Sequence, residues 1–354
     1  MKLQNKTILI VSNEPWGDMW YSKHNWAFEL SKHNLVYFVD PPKRWRLKNL
    51  FKTKITIQDY TNNLKILNYN NRLPFTRFNF LFKINESLIF KSLNKFFKDR
   101  NNIIFWSFDP YRLINPKRIN KLFSIHFITD KYLMKREQIL AENSDYHITV
   151  SKELTDILKV ENPLVLSHGI SETEFTANKD IDYKNFTLYV GGIDYRLDYN
   201  LLEQLLIKFP KETFLFIGRL SNNDNKIFND IFIQKKYNNL IHKPPIHFKE
   251  LKNYIAKAKI CLAPMKLDVQ GNAINHHKLL QYLAMGKPVL SAQFSDYKNN
   301  NLLIEYNSIN EAINKLEQFL KNGEGKELIN KRINFAKQFT YQKLINKIEN
   351  FIKY

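Results

Sequence analysis

A single cysteine, Cys261, is present in 354 residues, which excludes an internal disulfide framework and any metal site built from several thiolates. It lies in the apolar run 260–263 and reads as a buried structural thiol. Long apolar stretches are also lacking: none approaches the roughly 18 residues that a membrane-spanning helix needs. The amino terminus offers only the run 7–11 before Ser12, Asn13 and Glu14, too short for a signal peptide and suited to a first strand, so a cytoplasmic protein is expected. No short-period repeat is visible. Acidic residues are scarce beside basic ones, 34 against 54, for a formal charge of +20.

The placement of that charge matters more than its size. Residues 41–100 hold fourteen Lys or Arg against Asp59, Glu86 and Asp99, a net +11, so one sixth of the chain carries more than half the excess. The same window is rich in aromatic residues, among them Trp45, Phe75, Phe78, Phe80, Phe90 and Phe96. Cations interleaved with rings on an amphipathic helix suit an anionic membrane surface, where lysines meet headgroups and rings sink to the acyl boundary. Nucleic acid attracts a similar charge, but no nucleic-acid-binding motif accompanies it, and none is expected as a partner.

Elsewhere the composition is that of a globular protein, with 25% charged residues. The length exceeds what one core comfortably serves, so two domains of roughly 170 residues are expected. Strand-like and helix-like segments alternate, the pattern of a parallel α/β sheet. A first series has strands at 7–12, 35–39, 103–107, 125–129, 147–150 and 164–166, with helices near 20–32, 85–98 and 152–159. A polar stretch at 171–184 breaks the pattern. A second series follows, with strands at 187–190, 214–217, 240–241, 260–263 and 289–291 and helices near 199–208, 249–258 and 276–285. Three further helices are read at 310–321, 324–338 and 341–352.

The segment 275–290, NHHKLLQYLAMGKPVL, is the most telling. Leu279, Leu280, Leu283 and Ala284 recur at helical spacing and Gly286 marks the stop. His276, His277 and Lys278 then lie at the helix start, where unpaired N–H groups and the positive end of the dipole favour an anion.

Asn275, Lys278, Tyr282, Leu283, Ala284, Gly286, Lys287, Pro288 and Val289 match a motif of GT-B glycosyltransferases, and the chain resembles the family 4 type, in particular its teichuronic-acid and xanthan glucuronosyltransferase relatives. Weaker stations occur in family order: Pro15-Trp16-Gly17-Asp18, Val39-Asp40-Pro41-Pro42, the run 102–110, Ser151 to Leu158 with Gly169, and YVGGIDYRLDYNLL from Tyr189. Two positions depart from the motif. His276 replaces a proline, and Gln281 replaces the glutamate that in relatives holds the ribose hydroxyls; the acid often found eight residues earlier is here Ala273, with Asp268 the nearest carboxylate upstream.

The resemblance implies a GT-B architecture: two Rossmann-like domains facing a central cleft, with the C-terminal helix crossing back to the first. It divides the chain into an acceptor-side domain (1–170), a linker (171–184), a nucleotide-sugar domain (185–335) and a returning helix (336–354). It implies transfer of a sugar from a nucleotide donor, UDP- or GDP-linked, to a polysaccharide or lipid-linked oligosaccharide in cell-surface glycan synthesis. Gly191, Gly192, Arg196, His276, His277, Lys278 and Gln281 become donor-binding candidates. Asp130 and His24 are the candidate catalytic bases, and Asp109 is a weaker one. Neither metal nor cofactor is expected, because fixed cations and helix N–H groups can stabilise a departing diphosphate. The basic window would hold the enzyme on the inner face of the plasma membrane. A GT-B sugar-nucleotide epimerase and a non-catalytic nucleotide- or partner-binding subunit are the competing readings.

Overall fold

A computed structural model describes residues 2–17, 20–50, 53–98, 100–130, 132, 135–221, 225–266, 277–294, 297 and 300–352. Two compact units divide the chain: Met1–Ser167 with Tyr341–Tyr354, and His168–Thr340. Among the described residues, no helix is long and apolar enough to cross a membrane.

The first unit is built on one sheet of strands β1 (Thr7–Val11), β2 (Leu35–Val39), β3 (Thr56–Asp59), β4 (Leu64–Asn68), β5 (Ile103–Ser107), β6 (Phe123–Ile128), β7 (Tyr146–Thr149) and β8 (Leu164–Val165). Their spatial order is β3-β4-β2-β1-β5-β6-β7-β8. Central strands such as β1 and β5 are buried along their whole length, as expected where helices cover both faces of a parallel sheet. Helices α1 (Ser22–Leu30), α2 (Asn79–Phe96), α3 (Lys135–Asn143) and α4 (Lys152–Leu158) supply that cover. In α2, Phe82, Ile89, Phe90 and Leu93 turn inward. The hairpin β3–β4 and helix α3 were not foreseen. β3 is a half-exposed edge strand, the one antiparallel member, and so lacks the continuous apolar run that marks its neighbours.

The second unit carries a six-stranded sheet: β9 (Thr187–Val190), β10 (Phe214–Ile217), β11 (Leu240–Lys243), β12 (Ile260–Ala263), β13 (Val289–Ala292) and β14 (Ile304–Tyr306). The order β11-β10-β9-β12-β13-β14 is fully parallel, the doubly wound arrangement of a dinucleotide-type fold. Helices α5 (Tyr199–Lys208), α6 (Lys226–Phe228), α7 (Phe248–Lys257), α8 (His277–Ala284), α9 (Ile309–Asn322) and α10 (Lys326–Ala336) complete it. Cys261 is fully buried in this core, and burial pushes its thiol pKa up. The stretch 171–184 holds a short 3-10 turn, Glu172–Phe175, and the buried Asn253 accepts the N–H groups of Asn178 and Lys179 at 3.1 and 3.2 Å.

The last helix, α11 (Tyr341–Phe351), belongs to the first unit. Tyr341 packs edge-on against Trp26 at 5.0 Å, Leu344 and Ile348 are buried, and the Leu3 N–H donates to Glu349 Oε1 at 2.6 Å. Just inside the second unit, Ile170 N–H donates to the Phe339 carbonyl at 2.9 Å.

Candidate functional site

In a doubly wound sheet the chain leaves the two central strands toward opposite sides, and the gap at their carboxyl ends is where ligands bind. That point in the second unit lies between β9 and β12. The turn after β9 is knitted to both neighbours. Gly191 N–H donates to the Ile217 carbonyl at 3.0 Å, Ile193 N–H to that of Arg219 at 2.9 Å, and Lys266 N–H to that of Arg196 at 2.9 Å.

Glycine is required here for two separate reasons. Gly191 has φ +140°, which side chains avoid, and a Cβ there would sit 3.1 Å from both Lys278 Nζ and Tyr189 Oη. A Cβ on Gly218, just after β10, would lie 1.8 Å from the Gly191 carbonyl oxygen, so the two turns pack backbone to backbone.

Lys278 reaches this turn from the first turn of α8. Its Nζ donates to Tyr189 Oη at 3.0 Å and lies 4.4 Å from the centroid of that ring, while Tyr189 Oη donates to the Gly192 carbonyl at 2.8 Å. The helix is fixed against the strand by Tyr282, whose hydroxyl accepts the Val190 N–H at 2.8 Å. Arg196 extends from the same turn. Asp194 grips it through Nε at 2.9 Å and NH2 at 2.7 Å, not Asp198, which instead caps α5 by accepting Leu201 N–H at 3.0 Å.

Asp194 is thus bonded to Arg196 and acts on Lys278 through its charge. Burial, reinforced by the Arg196 charge and opposed by Asp194, brings the Lys278 pKa down from 10.5 to about 7. Hydrogen bonds from Arg196 hold the Asp194 carboxyl below its ordinary range against the opposing effect of burial. An anion bound beside Lys278 would favour its protonated form.

Other candidates on α8 have partners of their own. Gln281 Nε2 donates to Glu174 Oε1 at 2.6 Å, and Glu174, itself buried, also accepts the Ser171 N–H at 3.0 Å. His277 Nε2 lies 3.0 Å from the Gly169 carbonyl, with the His168 ring 5.7 Å away. His276, Ala273 and Asp268 lie outside the described residues.

The first unit places its candidates differently from one another. His24 is fully buried, with Nδ1 accepting the Tyr21 N–H at 3.1 Å and Nε2 against the Pro15 carbonyl at 3.1 Å. Burial drops its pKa to about 4, so it is neutral at pH 7 and both nitrogens serve the fold of the helix start. Asp109 is also fully buried, bonded to Arg112 Nε at 2.6 Å and to the Tyr111 N–H at 2.7 Å. Arg112 reaches on to Tyr69 Oη at 2.6 Å and to the Ser12 and Asp40 carbonyls, which makes this pair a brace beneath the strand ends. Asp130 is exposed, directly after β6, with Tyr132 Oη at 3.3 Å. Asn13 Nδ2 donates to that same hydroxyl at 2.9 Å, and Lys23 Nζ donates to Asn13.

Sequence reasoning missed Tyr189, Asp194, Gly218, Tyr282 and Glu174 as parts of these arrangements. Asp194 and Gly218 had a usable signal, since Gly218 directly follows β10 and Asp194 lies in the turn after β9, both at the carboxyl end of a core strand. It also passed over one Asp-x-Asp pair, Asp180 and Asp182. Asp180 is exposed and paired with Lys257 Nζ at 2.6 Å. Among the described residues no group of three or more His, Cys, Asp or Glu is disposed to hold a metal ion.

No family model matches the chain. Over 167 residues it is 27% identical to TuaH of Bacillus subtilis strain 168, named as a teichuronic acid biosynthesis glycosyltransferase, covering 45% of this chain and 41% of that protein. The chain thus spans less than half the length of that relative. Solved structures match along nearly the whole chain. Sucrose-phosphate synthase from Thermosynechococcus elongatus aligns with TM-score 0.71 at 12% identity, covering 98% of each chain. An α,α-trehalose 6-phosphate synthase from Burkholderia multivorans gives 0.66 at 9% identity, covering 98% of this chain and 96% of its own. TarM gives 0.63 at 13% identity over 98% of each. The fold is GT-B, as the motif resemblance implies.

Proposed function

We propose that this chain is a glycosyltransferase that moves a sugar from a nucleotide donor to a polysaccharide or lipid-linked oligosaccharide of the cell envelope. One observation carries the reading: Lys278 and Arg196 both lie at the glycine turn after β9, Arg196 paired with Asp194 and Lys278 held on Tyr189. In glycosyl transfer the bond from the anomeric carbon to the diphosphate breaks, an acceptor oxygen takes its place, and the hydroxyl proton departs. Charge grows on the leaving diphosphate, and fixed cations that meet it without reorganising lower that barrier. Lys278 and Arg196 are suited to this task, with Gly191 and Gly192 letting the phosphates approach the backbone. The relative from Bacillus subtilis and the shared fold support the choice of reaction.

Asp130 is the proposed acceptor-side base, supported by its exposed carboxylate and the Tyr132 hydroxyl beside it. Seating on the inner face of the membrane is supported by the net +11 of residues 41–100. The test is calorimetry with UDP and GDP, then with their sugar conjugates. Lys278→Ala should weaken diphosphate binding by about 1.5–3 kcal/mol, the range of a charge-assisted contact. Equal affinity in wild type and a folded Lys278→Ala protein would remove the assignment.

A further inference from the structure

Exposed apolar side chains are concentrated at one corner of the first unit. Of the fourteen large apolar residues exposed among the described residues, six fall between positions 47 and 80: Tyr60, in the β3–β4 turn with its ring against Trp16, and the group Leu47, Leu50, Phe75, Phe78 and Phe80. Leu47 and Phe80 are each 73% exposed and Phe75 64%. Scattered exposed leucines need no explanation, whereas a group of this kind marks an interaction surface.

The corner is built, not loose. Both segments leave the sheet at its carboxyl edge, after β2 and β4, which run in parallel. Trp45 Nε1 donates to the Arg72 carbonyl at 2.9 Å and joins one segment to the other. Buried Asn85 on α2 accepts the N–H groups of Arg72 and Leu73 at 2.9 and 3.0 Å and donates to the Leu73 carbonyl at 3.0 Å. Arg136 donates to the Thr76 carbonyl at 2.8 Å. Phe75 adopts φ +56°, a conformation that costs a bulky residue about 1–3 kcal/mol, and it does so while pointing into solvent. Packing does not account for that strain.

Cations surround the apolar group. Arg44, Arg46, Lys48 and Arg77 are exposed, and the only acid in residues 41–80 is Asp59. Apolar tips ringed by cations complement an anionic bilayer surface: the rings enter the interface and the cations meet the headgroups. We infer that the corner formed by Leu47, Leu50, Phe75, Phe78 and Phe80 inserts into an anionic bilayer and sets the orientation of the protein on it. This rests on the membrane seating proposed above and names its contact.

The geometry then demotes the lysine face of α2. Lys91, Lys95 and Lys98 do share an exposed side. However, α2 returns from the carboxyl edge to the start of β5, so Lys91 and Lys95 lie about 20–25 Å along the helix from Phe78 at 1.5 Å per residue. That is more than twice the screening length of about 8 Å at physiological salt. The inserting corner shares its edge of the sheet with Asp130, which follows β6, so acceptors displayed on the bilayer would meet the edge that carries the proposed base.

The test is co-sedimentation with vesicles of phosphatidylglycerol and phosphatidylcholine, at low and at high salt. Wild type should bind and retain part of its binding at high salt. Leu47→Ser, Phe75→Ser, Phe78→Ser and Phe80→Ser combined should lower the partition constant about 100-fold, since each buried ring or branch contributes its transfer free energy. Lys91→Glu, Lys95→Glu and Lys98→Glu combined should change it less than about threefold. A fluorophore on Phe78→Cys should shift to the blue with vesicles, with buried Cys261 left unlabelled. If the serine variant binds like wild type while the glutamate variant does not, the corner is overturned and membrane seating survives. Failure of wild type to bind overturns both.

Discussion

Proton linkage offers the sharpest test of the β9 site. Lys278 has its pKa brought down to about 7 by burial and by Arg196. A diphosphate placed against it should restore the ammonium toward its ordinary value of 10.5. Below pH 7 the free protein is already protonated there and binds at full strength; above it, binding must take up a proton. The dissociation constant then scales as one plus ten to the power of pH minus 7, about tenfold weaker at pH 8 than at pH 6 and a further tenfold at pH 9, each decade being about 1.4 kcal/mol. The second phosphate ionisation, near pH 6, is complete over most of this range and leaves the lysine as the titrating group. Calorimetry in buffers of differing ionisation enthalpy should count about 0.9 proton taken up at pH 8 and about 0.1 at pH 6. Lys278→Met should bind weakly and without slope. Affinity that is flat from pH 7 to 9 in wild type, with no proton taken up, would refute the contact.

Gln281→Glu restores the residue found in relatives but sets a second carboxylate against Glu174, so thermal stability should fall at pH 8 by about 1–3 kcal/mol and recover toward pH 5 as one carboxyl protonates. The sequence motif alone favours preserved or tighter donor binding for this variant, and thermal shift against pH separates the two outcomes. Gly218→Ala drives a methyl into the Gly191 carbonyl and should cost about 1–3 kcal/mol in urea unfolding, together with nucleotide affinity. Arg112→Met leaves Asp109 buried without its partner and should cost about 3–5 kcal/mol by the same measurement.

What was legible in the sequence follows a physical line. Strands β9, β10 and β12 and helix α5 were read at their observed bounds, because each is an apolar run or a helical stripe stopped by a glycine or proline, at Gly191, Gly218, Pro264 and Pro210. The β3–β4 hairpin was not, since the edge strand β3 buries little and the inner strand β4 carries Lys65 and Asn68 among its apolar residues. α2 begins at Asn79 rather than near residue 85, because Phe78 and Phe80 look outward and so interrupt the periodicity that marks a buried face. At the site, Lys278 and the glycines were visible as a local motif. Glu174 lies 107 positions from Gln281, and no spacing rule connects them. Likewise His24 looked like a base near the first helix, and only the positions of the Tyr21 N–H and Pro15 carbonyl reveal that it ties the backbone together.

The placement of α11 has a consequence for how the molecule is made. The first unit includes residues 341–354, whereas 168–340 form the second without interruption. During synthesis the unit that begins the chain must therefore wait, with the pocket around Trp26 uncovered, until the unit encoded after it has been delivered complete. The order of folding runs against the order of the message: the second unit can close first, and the arrival of Tyr341, Leu344 and Ile348 finishes the first. A chain cut after residue 340 would carry a complete second unit and an unsealed first one, and would present the larger aggregation risk through its older half.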